Sequence, residues 1–148
     1  MRRMSFIYTQ QQVRDRTKTV TRRLGWKTLQ PGTELLAVSK CMGLKRGEQA
    51  DILGKIRVKA VDRVPLFQLD GGAPASATRE ERYREARLEC VREGFPDMDP
   101  PTFVRMFCEH MGCAPEDLVT RIEFEYLPSQ LDCGNPLYAQ QVADGSGH

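Results

Sequence analysis

The chain has 148 residues, 40% of them apolar and 28% charged, and a net charge of +2. That length supports a domain with a real core, and the composition is ordinary for a globular protein. No apolar run reaches the ~20 residues of a membrane helix, no signal peptide is recognisable behind the basic start Met1-Arg2-Arg3, and so small a net charge argues against a long nucleic-acid track.

Residues 5–8 are a short apolar run that predicts a first strand. Thr9 followed by Gln12 fits a capping box, which predicts a short helix over residues 10–15. Residues 14–27, RDRTKTVTRRLGWK, carry six cations against one Asp. The positive charge is gathered there, and a local positive field attracts anions such as phosphates. Thr17, Thr19 and Thr21 alternate with the cations and add hydroxyls that donate and accept hydrogen bonds. The stretch reads as a strand edge or site wall; a solvated basic edge that discourages aggregation is the plainer alternative. In a regular strand over residues 19–24, Thr19, Thr21 and Arg23 share one face, with Val20, Arg22 and Leu24 on the other. Lys18 converges on Thr21 only if the chain turns or bulges beside it.

Pro31-Gly32 predicts a turn, residues 34–39 an apolar strand and residues 40–51 a polar loop. Residues 54–64 alternate, with Ile56, Val58 and Ala60 on one face and Lys55, Arg57, Lys59 and Val61 on the other. Residues 70–77 are loop-like. Thr78 and Glu81 form a second capping box, opening a helix to about Arg92 with Tyr83, Ala86, Cys90 and Val91 towards the core and Gly94 as its stop. Asp99-Pro100 opens another helix, with Phe103, Met106, Phe107 and Met111 on one stripe. Residues 118–127 alternate with period two and predict the last strand. The order is strand, helix, three strands, two helices, strand, which predicts an α+β fold, a small mixed barrel or sheet with helices on one side. Residues 1–127 read as a single domain and residues 128–148 as a partly irregular C-terminal extension.

The five cysteines, Cys41, Cys90, Cys108, Cys113 and Cys133, include no C-x-x-C pair. Neither a disulfide framework nor a structural zinc site is expected, and the usage points to a cytoplasmic protein in a reducing compartment. Cys108 and His110 stand two apart, on different helical faces, so no metal site is expected from them.

Several motifs in order resemble the ASCH domain, a β-barrel family similar to PUA domains. Lys18, Thr19, Thr21 and Arg23 match its Gly-Arg/Lys-Lys-Thr-x-Thr-x-Arg pattern, Pro31-Gly32 its turn, and Glu93-Gly94-Phe95 with Phe103 and Phe107 its helical motif. The last strand, RIEFEYL, is similar to the closing strand of the family. The glycine of the first motif is missing here, where Asp15-Arg16-Thr17 precedes Lys18. The form of the motifs looks most like ASCH proteins carried by bacteriophages and prophages, which implies a host-cytoplasmic location.

The resemblance implies a PUA-like mixed β-barrel with flanking helices, and a basic cleft that binds RNA, a nucleotide or a nucleoside. One branch of the family is a metal-independent amidohydrolase on N-acetylated cytidine, and other members are linked to RNA cleavage. Carried over residue by residue, Lys18, Thr21 and Glu93 are candidates for catalysis, and Arg16, Thr19, Arg22 and Arg23 for substrate binding. No cofactor is implied. A threonine hydroxyl attacks only when a base takes its proton, and a lysine serves as that base only if burial or nearby cations lower its pKa. Each residue also has a plainer role: Lys18 as a phosphate contact, Thr21 as a β-branched strand residue, the arginines as surface cations, and Glu93 as an ion-pair partner at a helix end.

Overall fold

A computed structural model describes residues 1–41 and 44–128. The expected extension therefore falls outside the described residues from position 129 onwards. The elements are β1 (Arg3–Ser5), α1 (Gln10–Arg14), β2 (Val20–Arg23), β3 (Glu34–Val38), β4 (Ile52–Pro65), α2 (Arg79–Arg92), α3 (Pro100–Met111) and β5 (Leu118–Leu127). Their order is the one predicted. No helix among the described residues is long and apolar enough to cross a membrane.

The five strands form one mixed sheet in the order β1-β3-β4-β5-β2, with β1 parallel to β3 and the other pairs antiparallel. The expected barrel is not closed: β1 and β2 are the two edges of an open sheet. These edges are only three and four residues long, too little ladder to bridge the gap between them. The long β4 carries the sheet. Its first half pairs with β3 and most of its length pairs with β5. Between Val58 and Ala60 the register with β5 shifts, leaving Lys59 as an extra residue. This bulge reverses the alternation read from the sequence. Ile56 and Val58 are buried before it, whereas Val61, not Ala60, packs on the same core after it.

Two apolar cores result. One gathers Met4, Phe6, Val13, Leu35, Ile56, Ile122 and Phe124 between the sheet and α1. The other gathers Leu66, Ala86, Cys90, Phe103, Phe107 and Val119 beneath α2 and α3. The capping box of α2 forms as predicted: Glu81 N donates to Thr78 Oγ1 and Thr78 N to Glu81 Oε2, both at 3.1 Å. Asp99 caps α3, accepting from Thr102 N at 2.8 Å. The capping box expected at α1 does not form, because the Gln12 amide is used in a tertiary contact with Gly94 O at 3.1 Å.

The α2 face also differs from expectation. Tyr83 and Val91 are about half exposed, and Glu89 and Glu93 are buried beside Ala86 and Cys90. The sheet presents arginines to this face, so carboxylates are the residues that satisfy it.

Candidate functional site

The basic stretch begins where α1 ends. Arg16 takes a left-handed φ of 62°. Arg16 N donates to Val13 O at 3.1 Å and Thr17 N to Gln12 O at 3.0 Å, the paired bonds of a Schellman cap. This is the turn that Lys18 needed. Arginine, not glycine, bears the left-handed strain there. Lys18 and Thr19 lie before β2, free of strand alternation, and Lys18 points inward to the end of α2.

That helix end is capped by the same stretch. Thr19 N donates to Arg92 O at 2.8 Å, Lys18 Nζ to Glu93 O at 2.6 Å, and Gln12 Nε2 to Gly94 O at 3.1 Å. Two carbonyls left over by the helix, those of Arg92 and Glu93, and that of Gly94 just beyond it are satisfied, one by a cation at the negative end of the helix dipole. Gly94 makes the close approach possible: its φ is 101°, and a Cβ there would lie 3.1 Å from Gln12 Cγ. Tyr126 holds the segment from the other side, its hydroxyl donating to Lys18 O at 2.6 Å. Burial pushes the Tyr126 phenol well above its ordinary range.

The charged side chains form a chain of pairs. Lys18 Nζ donates to Glu93 Oε1 at 3.1 Å, Arg22 Nη1 to Glu93 Oε2 at 2.8 Å and Arg22 Nη2 to Glu89 Oε2 at 2.7 Å. Glu89 also receives Arg121 Nε at 2.5 Å and Arg92 Nη1 at 3.2 Å. The Lys18, Arg22, Glu89 and Glu93 side chains are at most 4% exposed. Burial lowers the Lys18 pKa against the pull of Glu93, and Arg23 and Arg22 lower it further. Burial raises Glu89, but the bonds and charges of Arg121 and Arg22 outweigh it and hold the carboxyl at about 2. Arg22 Nε is buried without a partner among the described residues.

Arg22 and Arg23 leave β2 on opposite faces, as alternation requires. Arg22 faces α2. Arg23 lies over the Phe6 ring at 4.8 Å and donates from Nε to Thr21 Oγ1 at 3.1 Å. Among the described residues no hydrogen bond joins Lys18 to Thr21.

A cavity of about 110 Å³ opens where the two cores meet. Lys18, Thr21, Arg22, Arg23 and Glu93 line it together with Phe6, Phe95, Phe103 and Phe107. Tyr8 and His110 also line it and stack on each other with ring centres 4.1 Å apart and planes 9° from parallel. Five of the seven expected site residues therefore share one cavity. Arg16 and Thr19 do not line it: Arg16 lies 5.8 Å from the Tyr126 ring centre, and Thr19 contributes the backbone bond to α2.

Sequence reasoning missed Glu89 and the Tyr8–His110 pair. Glu89 had a signal. It stands four residues before Glu93, on the stripe of Ala86 and Cys90, and two carboxylates on a core-facing stripe need cations opposite. Tyr8 and His110 are far apart in sequence and had none.

No family model matches the chain, and no curated protein matches it. Among solved structures, the crystal structure of protein EF3133 from Enterococcus faecalis V583, of family DUF984, is similar with a TM-score of 0.42 and 17% identity, over 80% of this chain and 69% of that one.

Proposed function

We propose that the chain is an ASCH-like protein of the PUA-like class and that its cavity receives a single base, as a nucleoside, a nucleotide or an unstacked residue of RNA. The supporting observation is the mixed lining of the cavity. Lys18, Thr21, Arg23 and Glu93 offer donors and acceptors to the polar edge of a ring, and four phenylalanines offer apolar contact to its body. Base–aromatic contact contributes ~1–3 kcal/mol per base. At about 110 Å³ the cavity is well below the roughly 300–1,000 Å³ of pockets that enclose drug-sized ligands. A ring fits such a space and a length of polynucleotide does not. Calorimetric titration with cytidine, cytidine monophosphate and a short single-stranded RNA tests this reading. Binding of at least one, weakened by Phe95→Ala, is expected; absence of binding by all three refutes it.

The contact between Lys18 and Glu93 favours a second reading, a metal-independent amidohydrolase on N-acetylated cytidine. Thr21 Oγ would attack the acetyl carbonyl as its proton passes to neutral Lys18. Lys18 would return that proton to the departing amine, and water would then release acetate from Thr21. The lowered pKa of Lys18 increases its neutral fraction. The Arg23 N–H on Thr21 Oγ1 favours the alkoxide over the hydroxyl. Lys18 must still close on Thr21, a movement that substrate binding commonly supplies. Release of acetate from N-acetylcytidine, unaffected by chelator and abolished in Thr21→Val, is the expected result for this reading; no release, or equal release by the variant, refutes it.

A further inference from the structure

Arg23 is the charged group of the cavity that the pairing scheme leaves over. Both oxygens of Glu93 are occupied, one by Lys18 and one by Arg22. Glu89 is shared by Arg22, Arg92 and Arg121. Among the described residues no carboxylate lies within ion-pair distance of Arg23. Its Nε is used by Thr21, and its two terminal nitrogens have no protein acceptor among the described residues. The residue is half-buried, and desolvation brings its pKa down to about 10, opposed by Glu93 and by the exposed Cys41 thiol. A half-buried cation that makes no direct ion pair among the described residues is incompletely compensated, and an incoming anion relieves that cost.

We propose that the cavity is built for a small organic anion, a flat ring bearing one carboxylate, with the carboxylate on the Arg23 guanidinium and the ring among the phenylalanines. This rests on reading the cavity as a ligand site and puts an aryl or heteroaryl carboxylate in place of the base of that reading. Three observations carry it. The guanidinium fork matches the two oxygens of a carboxylate, and here both terminal nitrogens await an acceptor. Phe6 lies against the guanidinium at 4.8 Å, and both residues line the cavity, so an aromatic ring stands beside the cation there. One unpaired cation calls for one negative charge, whereas a phosphate monoester brings ~1.5–2 into a space of about 110 Å³. The stacked Tyr8 and His110 rings add further flat aromatic surface to the cavity lining.

The test uses the full chain near neutral pH, titrated by ligand-observed NMR with benzoate, benzamide, orotate (a pyrimidine carboxylate), cytidine and inorganic phosphate. Benzoate and orotate are expected to bind, and benzamide, which matches benzoate in shape and lacks its charge, about tenfold more weakly. Arg23→Gln is expected to erase the difference between benzoate and benzamide. The comparison of ligands on the unaltered protein needs no variant, so a folding defect in Arg23→Gln does not decide the matter. Cytidine binding as tightly as orotate overturns the proposal and leaves the base-binding reading intact. Phosphate binding more tightly than either carboxylate also overturns it, in favour of a phosphate site. Binding by none of the five overturns the proposal; the base-binding reading falls with it only if cytidine monophosphate and the single-stranded RNA also fail to bind.

Discussion

Replacing Glu89 by glutamine removes one negative charge from among three arginines, and the cost can be worked in two ways. Glu89 accepts from Arg22, Arg92 and Arg121, and its side chain is 4% exposed. Breaking a buried ion pair from one side costs ~3–5 kcal/mol, because the other charge is left uncompensated. Independently, the carboxyl falls from an ordinary 4.5 to about 2 on folding. At ~1.36 kcal/mol per pH unit that corresponds to about 3 kcal/mol of stability. The folded pKa is depressed, so this contribution is fully present above the unfolded pKa and is lost as pH falls from about 5 towards 2. Urea unfolding near neutral pH is expected to show Glu89→Gln about 3 kcal/mol less stable, with an unchanged slope against urea. Repeated at about pH 3, the gap between wild type and variant should shrink by roughly half or more, because the wild-type carboxyl is then yielding its advantage. A loss under ~1 kcal/mol near neutrality, or a gap that does not narrow in acid, would refute the reasoning.

Gly94→Ala is expected to lower stability by about 2 kcal/mol, since it forces a left-handed φ on a residue with a Cβ and drives that Cβ against Gln12; a thermal midpoint within error of wild type would contradict this. Arg16→Gly should act in the opposite direction, gaining about 1 kcal/mol by relieving the φ of 62°; an unchanged or lower thermal midpoint would contradict this. Among the four cysteines of the described residues, Cys41 is exposed and Cys90 is buried with its thiol pushed up to about 11 by desolvation and by Glu93. Iodoacetamide labelling followed by mass spectrometry should therefore modify Cys41 first and Cys90 last of these four. Modification of Cys90 before Cys41 would mean that α2 does not pack its Cys90 face on the core.

The element order was legible because each element carries a local signal. Period-two alternation marked β5 over its full length, and side chains three residues apart closed the cap of α2. These are short-range effects, fixed by bond geometry and the nearest turns of chain. The same local logic failed at α1, where Gln12 is needed by Gly94 and the cap is given up. It failed again at β4, where the bulge at Lys59 moves Val61 into the place that alternation gave to Ala60. The sheet order, with β1 beside β3 and β2 beside β5, has no local signature. It is decided by which apolar faces can be buried together.

The site divides in the same way. The gathering of cations at residues 14–27, and the opposite facing of Arg22 and Arg23, follow from the sequence and the strand period alone. That Lys18 turns inward depends on a helix cap built around a left-handed arginine. That Lys18 and Arg22 share Glu93, with Glu89 beside it, depends on α2 docking its carboxylate stripe against β2. Buried charges must find partners, and those partners lie about seventy residues away. Composition and spacing state how much charge the chain must neutralise; only the packed structure shows which cations are paired and that, among the described residues, Arg23 is in no ion pair.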